Sequence, residues 1–279
     1  MSNWSDLPTE ILNLIVDRLY YIDQVRIRGV CKSWRSNIYY DGKYADKLPW
    51  IMSYQRVGPN LIKINQFYLY EPSQKRKYRV ETKIPIHIAI LHASKFGWLL
   101  LSQITTLYSF SPSFFFFYCP FTNEIIQLPK LDMNLYSQIQ ATFSTSPTSS
   151  DCVVFVLNSC PDPKRIRVST CSPGDTAWCS LLVNIDDCGW QIKKVAYSKG
   201  VFYCAFLSRF AYMGAYNPAL QEWKIHPYPP FIIQRLYNHK NSDLDLIDSP
   251  DDENLLLSYY PSRERSHVFV FRFDQSQMK

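Results

Sequence analysis

Glycine is scarce: the chain has 8 in 279 residues, under half the usual share of about 7%. Glycine-rich phosphate loops are correspondingly absent. There is no Gly-x-Gly-x-x-Gly and no Gly-x-Ser-x-Gly, and Gly42-Lys43 is followed by Tyr44 rather than the hydroxyl residue of a Walker loop. The cysteines, Cys31, Cys119, Cys152, Cys160, Cys171, Cys179, Cys188 and Cys204, include no pair separated by two residues. Zinc-ribbon and thioredoxin patterns are thereby missing, and the cysteines read as free thiols packed as small hydrophobes in a reducing compartment. No apolar run approaches the ~18 residues of a membrane-spanning helix, and the aromatic run Phe114 to Tyr118 is far too short. Met1 to Asp6 has no basic region with an apolar stretch behind it, so no secretory signal is expected. The histidines, His87, His92, His226, His239 and His267, form no His-Glu-x-x-His set. No metal and no cofactor is expected. Charge is nearly balanced, with 30 Lys and Arg against 24 Asp and Glu and a net charge of +6. That surplus is too mild to point to nucleic acid.

What is present is apolar and aromatic. Hydrophobic residues make up 47% of the chain and aromatics 16%, which excludes a disordered chain. The first forty residues read differently from the rest. Asp6 and Pro8 mark a helix start, since proline loses nothing in a first turn. Ile11, Leu12, Ile15, Val16 and Leu19 then recur at the spacing of one helical stripe. Asp23 is placed to cap a second helix carrying Val25, Ile27 and Val30. A third carries Cys31, Trp34 and Ile38 and stops at Asp41-Gly42. Three short helices over about 40 residues seldom bury enough surface alone. Their apolar residues are buried either against the rest of the chain or by a second protein.

These residues carry a resemblance. The string Asp6-Leu7-Pro8-Thr9-Glu10-Ile11-Leu12, then Leu19, Asp23 to Arg28 and Val30-Cys31-Lys32-Ser33-Trp34-Arg35 resembles the F-box motif nearly end to end. It departs at Tyr20-Tyr21, where a proline or small residue is usual, and at Gly29, which is expected to weaken the second helix. The resemblance implies docking on the Skp1-type adaptor of a cullin-containing ubiquitin ligase. The implied adaptor-binding residues are Leu7, Pro8, Ile11, Leu12, Ile15, Leu19, Val25, Val30 and Trp34. Trp34 is equally suited to a core role, because large aromatics anchor both cores and interfaces.

After Lys47 helical stripes give way to short apolar runs broken by Pro, Ser, Asn and Asp, the pattern of many short strands. Three segments, Gly97 to Pro129, Cys152 to Trp178 and Gly200 to Pro227, repeat a strand, a strand, a proline-containing turn and a further strand. The turn prolines Pro120, Pro173 and Pro218 are 53 and 45 residues apart, close to the ~40–50 residues of a propeller blade. Proline fixes φ there while Asn, Asp or Gly supports the reversal. Ile125, Trp178 and Trp223 are expected to pack between neighbouring blades. Gln191 to Tyr197 reads as an extra strand before the third copy. Unrelated hairpins in a β-sandwich are the competing reading, and neither the kelch nor the WD signature is present.

This region also resembles the KIB-type β-propeller found behind plant F-boxes. The matching strings are Lys77-Tyr78-Arg79-Val80, Gly97 to Leu100, Asn123 to Pro129, Ser150 to Val154, Ser172 to Asp175 with Trp178, Lys199 to Tyr203 and Asn254 to Leu257. The expected fold is a small α-helical F-box module followed by an all-β domain, a β-propeller of about five blades. Whether its last blade is complete is left open, because no tryptophan-bearing strand follows Val268 to Asp274. The expected domains are residues 1–45 (helical module), 46–59 (linker) and 60–279 (propeller).

Two charge runs remain: Lys75, Arg76, Lys77, Arg79 and Lys83, and Asp243, Asp245, Asp248, Asp251, Asp252 and Glu253. Both read as solvated loops. The resemblance implies a non-catalytic, substrate-recruiting subunit of a Skp1–cullin–F-box ligase. Its partners are the Skp1-type adaptor, cullin through it, and a target protein, with no nucleic acid and no membrane. It is expected in nucleus or cytoplasm. A non-degradative scaffold and a propeller enzyme are the competing readings.

Overall fold

The computed structural model describes residues 4–19, 21–38, 51–56, 64–72, 75–80, 89–104, 113–132, 138–185, 191–207, 211–228, 243–249, 254–260 and 269–273. By contacts the chain divides into residues 1–87 with 119–124, and 88–118 with 125–279.

The first unit starts with a 3-10 turn, Trp4–Asp6, and three helices: α1 Thr9–Val16, α2 Tyr21–Ile27 and α3 Lys32–Asn37. Leu12 and Val16 of α1 meet Trp34 and Ile38 in a small core flanked by Leu7, Ile27 and Cys31. The ends are tied down by polar contacts. Gln24 Nε2 donates to the carbonyls of Val16 (2.9 Å) and Leu19 (3.0 Å), satisfying groups that the end of α1 leaves open. Cys31 is the N-cap of α3, its Sγ accepting from the Trp34 N–H at 3.4 Å. The Trp34 indole N–H donates to the Trp4 carbonyl at 3.0 Å. Two expectations shift. Asp23 lies within the first turn of α2 rather than capping it. The helix ends at Ile27, so Gly29 sits in the turn beyond it, where its N–H reaches the Arg26 carbonyl. Asp41-Gly42 lies outside the described residues.

The same unit holds a three-stranded antiparallel sheet of β1 Ile51–Arg56, β2 Ile64–Glu71 and β3 Arg76–Val80, in that order. The strand β1 corrects the expected 46–59 linker: its residues pair with β2, Met52 opposite Leu69. Its apolar content, Ile51, Met52 and Tyr54, is that of a strand and not of a linker. Arg26 of α2 stands over the Tyr78 ring of β3, 5.6 Å from its centroid.

The second unit contains four further sheets, each a contiguous antiparallel meander. They are β4 Ala89–Lys95, β5 Trp98–Ile104, β6 Ser113–Cys119 and β7 Glu124–Leu131; β8 Ile139–Phe143, β9 Val154–Ser159, β10 Arg165–Cys171 and β11 Cys179–Asn184; β12 Gln191–Ser198, β13 Val201–Leu207, β14 Ala211–Asn217 and β15 Glu222–Pro227; and β16 Asp243–Ser249, β17 Asn254–Tyr260 and β18 Phe269–Phe273. With the first sheet these make the five blades of a β-propeller. Middle strands are apolar on both faces because a neighbouring sheet lies on each side. Val154 to Asn158 and Phe202 to Phe206 are buried without a break.

Turn chemistry is repeated at equivalent places. The hairpins β4–β5 and β12–β13 turn through Phe96-Gly97 and Lys199-Gly200, all four at positive φ. That is the two-residue turn whose twist suits antiparallel strands. Pro120, Pro173 and Pro218 all fall between the third and fourth strands of their sheets. In the last of these, Asn217 Oδ1 accepts from the N–H of Ala219 (3.0 Å) and of Leu220 (3.3 Å).

Aromatic rings join the sheets. Phe117 meets Phe143 edge-on at 5.0 Å, Phe115 meets Trp178 at 5.6 Å, and the Trp178 indole N–H donates to the Pro129 carbonyl at 2.8 Å. Trp223 packs on Phe206 of its own sheet, at 6.1 Å, against the core that this sheet shares with the β8–β11 sheet. Ile125 corrects the expectation of an inter-blade residue: it is exposed, and β7 turns Leu128 and Leu131 inward in its place. Ile125 is the second residue of the outer edge strand β7, three residues from Leu128 and therefore on the opposite face of the strand.

Gly214 sits between the Phe206 and Trp223 rings. A Cβ there would lie 2.5 Å from Trp223 Cζ2 and 2.9 Å from Phe206 Cε2. Gly214→Ala is expected to destabilise the protein by about 1–3 kcal/mol through overpacking. Chemical denaturation monitored by tryptophan fluorescence checks this, and an unchanged midpoint would mean that both rings move aside freely.

Candidate functional site

The nine residues expected to meet an adaptor separate by burial. Pro8, Ile11 (46% exposed) and Val30 (61%) face solvent. Leu7, Ile15 and Leu19 are half-buried. Leu12 (0%) is the correction: it lies inside the module with Val16 and Ile38, and so does Trp34 (8%), which takes the core role of the two open to it. The backbone of Val25 lies in α2, and its side chain falls outside the described residues.

The physical reason is that α1 is apolar on two sides. Leu12 and Val16, four apart, point into the module. Pro8, Ile11 and Leu14, three apart, lie on the outward side. Leu14 (58% exposed) and Trp4 (71% exposed) belong to the same class of exposed apolar residues and were not singled out from the sequence. Leu14 falls between the positions of the expected stripe, and only the packing of Leu12 shows which side faces out. Exposed apolar residues gathered on one short module are the usual mark of a protein-binding surface.

The second unit offers different chemistry. Among the described residues no group of three or more His, Cys, Asp or Glu is arranged to hold a metal. His87, His239 and His267 lie outside them. His92 is mostly buried, its Nε2 2.7 Å from Ser102 Oγ and its ring 5.3 Å from that of Phe115. Burial pushes its pKa down to about 4, so the imidazole is neutral at pH 7. Burial pushes the thiols of Cys152 (to about 11), Cys171 (to about 12) and Cys204 upward. All three are thiols and not thiolates at neutral pH, the state of packed structural cysteines.

The charge runs are only partly loops. Lys75 occupies the β2–β3 turn, while Arg76, Lys77 and Arg79 are exposed on β3. Asp243, Asp245 and Asp248 belong to β16, and Asp245 Oδ1 lies 3.4 Å from Lys194 Nζ on β12. Lys83 and residues 251–253 fall outside the described residues. A groove of about 690 Å³ opens beside Lys130, Arg167 and Trp178, with Arg167 Nη1 donating to the Asp132 carbonyl at 2.9 Å.

Comparison with known proteins bears on both parts of the chain. A family model described as the F-box domain matches residues 4–44, and one described as the KIB1-4 beta-propeller matches residues 69–279. An F-box/kelch-repeat protein of Arabidopsis thaliana is 35% identical over 227 residues, covering 81% of this chain and 60% of that protein. An F-box protein of the same plant is 28% identical over 226 residues, covering 79% of this chain and 53% of its own length. The chain thus spans little more than half the length of these relatives. Among solved structures it is similar to a triple arginine-to-alanine mutant of AofleA from Arthrobotrys oligospora, with a TM-score of 0.48, 12% identity, and coverage of 85% of this chain and 72% of that one. On the two matched domains and their order, the chain is an F-box protein of the KIB1-4 β-propeller family.

Proposed function

We propose that the chain is the substrate-recognition subunit of a Skp1–cullin–F-box ubiquitin ligase. The observation that carries this reading is the outward apolar side of α1, Pro8 and Ile11, together with Val30, in a module matched as an F-box whose own core is already filled. These residues dock on a Skp1-type adaptor and through it on cullin, while the propeller holds a target protein. The subunit performs no chemistry. It raises the effective concentration of target lysines beside the conjugating enzyme, turning an encounter into a near-intramolecular step. It works in the nucleus or cytoplasm, where those partners reside.

The test is co-purification and titration with a plant Skp1-type protein, comparing wild type with Ile11→Asp/Val30→Asp. Both sites are exposed, so the variant is expected to stay folded. Its binding is expected to weaken by about 2 kcal/mol or more, as for loss of interface anchors. A folded wild type that fails to bind the adaptor overturns the ligase reading. Binding without ubiquitin transfer in a reconstituted assay would leave a non-degradative scaffold.

A further inference from the structure

Each sheet ends in a strand with one side unpaired among the described residues: β3, β7, β11, β15 and β18. An open strand edge invites pairing with another chain, and proteins blunt it with charge, proline or a bulge. Four of these strands are blunted. β3 carries Arg76, Lys77 and Arg79; β7 carries Glu124, Pro129 and Lys130; β15 carries Glu222, Lys224 and Pro227; and β18 carries Arg272. The exception is β11. Cys179–Asn184 contains no charged residue and no proline. Its ladder with β10 runs without a bulge from Thr170 opposite Cys179 to Arg165 opposite Asn184. It is exposed at every position but Val183, including the two leucines, Leu181 and Leu182.

The groove of about 690 Å³ lies beside this strand. Ser180 and Leu182 line it with Trp178, Arg167 of β10, and Lys130 and Asp132 at the end of β7. Leu182 stands opposite Arg167 in the ladder, so Ser180, Leu182 and Arg167 share one face of the sheet, and Leu181 points to the other. Trp178 is held in the groove wall by its hydrogen bond to the Pro129 carbonyl and its edge contact with Phe115. The charged groups of the groove are Lys130, Arg167 and Asp132. Lys130 Nζ lies 5.2 Å from the centre of the Phe114 ring, and Arg167 donates to a backbone carbonyl. Among the described residues neither cation is paired with a carboxylate. Two cations against one carboxylate leave a positive groove beside an uncharged, unblunted edge.

We propose that β11 and this groove take up an extended acidic segment of a target protein as an added strand. Its backbone continues the sheet beyond β11, carboxylates on its groove side meet Lys130 and Arg167, and aliphatic residues on its other side cover Leu181. A second copy of this chain fits less well. Antiparallel pairing of two β11 strands about a two-fold axis brings the Lys130 and Arg167 of both copies to the same side of the joint sheet, where like charges repel. The proposal names the class of partner for the target-holding role of the propeller and rests on that reading. It is tested without the adaptor, so its failure and the failure of adaptor docking appear in separate measurements.

The experiment is fluorescence anisotropy of the full chain with the labelled peptide Thr-Val-Glu-Val-Glu-Val-Thr. The same peptide with glutamine for glutamate is expected to bind at least tenfold more weakly. Arg167→Gln and Lys130→Gln, each checked for an unchanged cooperative melt, are expected to weaken the glutamate peptide and leave the glutamine peptide unaffected. Two backbone-methylated forms test strand addition. N-methyl groups on the valines block one edge of the extended peptide, and N-methyl groups on the glutamates block the other. One form is expected to lose at least tenfold in affinity while the other keeps it. Equal behaviour of the two methylated forms overturns strand addition, and equal binding of glutamate and glutamine peptides overturns the acidic class. No binding by the folded wild type into the millimolar range overturns the proposal as a whole. A dimer of the chain alone that Leu182→Asp dissociates, seen by sedimentation, overturns it in favour of a second copy.

Discussion

Phe155→Ala is expected to destabilise the propeller by about 3–5 kcal/mol, the range for deleting a buried aromatic ring. Phe155 is fully buried on β9. Its ring stacks on Phe202 of the next sheet with centroids 4.7 Å apart and planes 12° from parallel, and it meets Tyr216 at 5.7 Å. Phe202 in turn touches Tyr197 at 4.8 Å. The substitution therefore opens a cavity between two sheets, where backbone hydrogen bonds cannot pull the walls together. The strands of each sheet are held by their own ladders, whereas sheet-to-sheet cohesion here rests on side chains. A melting temperature lower by roughly 10 °C follows from that energy in a chain of this size. Phe155→Leu, which keeps most of the volume, is expected to cost less than half as much. Leu182→Ala, at a site 52% exposed on β11, is expected to stay within about 0.5 kcal/mol of wild type. A loss below about 1 kcal/mol for Phe155→Ala would show that the stacked rings do not hold these sheets together.

The second large effect is acid sensitivity at His92. The unfolded chain takes up this proton near pH 6.5, and the folded chain only near pH 4, because burial disfavours the imidazolium. Between those values the unfolded state binds more protons, so stability falls as pH drops. The contribution is fully present above pH 6.5 and is lost progressively on the way to pH 4. The accumulated loss is about 3 kcal/mol. His92→Gln keeps a polar group toward Ser102 and removes the titration. Urea midpoints for the two proteins across pH 4 to 7.5 should diverge below pH 6.5, the wild type falling faster. Parallel curves would show that the folded protein protonates His92 as readily as the unfolded chain.

The sequence made legible what turns and middle strands impose. Pro120, Pro173 and Pro218 mark three equivalent turns, and the apolar runs around Phe114, Val154 and Val201 are the middle strands of three sheets. The inner strands were harder to see. Ile139–Phe143 and Ala89–Lys95 interleave small and polar residues with apolar ones, because they border a polar cavity as well as a core. The same cause hid β16: its aspartates read as a solvated loop, although one of them faces a lysine across to β12. The strand β1 is hard to see because its apolar run, Ile51 to Tyr54, is short and lies alone after Asp41-Gly42, outside the repeated strand pattern. In the helical module the stripe of α1 was plain, yet its direction was not. Leu12 and Ile11 are adjacent and equally apolar, and only the position of Trp34 decides which of them faces inward. No local pattern in the sequence pointed to the ion pair between Lys194 and Asp245 either, since it joins strands some fifty residues apart.

The contiguity of the sheets bears on how the chain is born. Every meander closes its ladder with residues that leave the ribosome together, so hairpin formation needs no distant segment. The faces of those meanders are another matter. Phe117 must wait for Phe143, and Phe155 for Phe202, before its ring is covered. A nascent chain halted between two sheets therefore displays a broad aromatic face with an open strand edge beside it, the surface most prone to coalesce with other chains. Synthesis speed across residues 120 to 200 thus becomes a determinant of yield, and slowing translation there should raise the demand for chaperones.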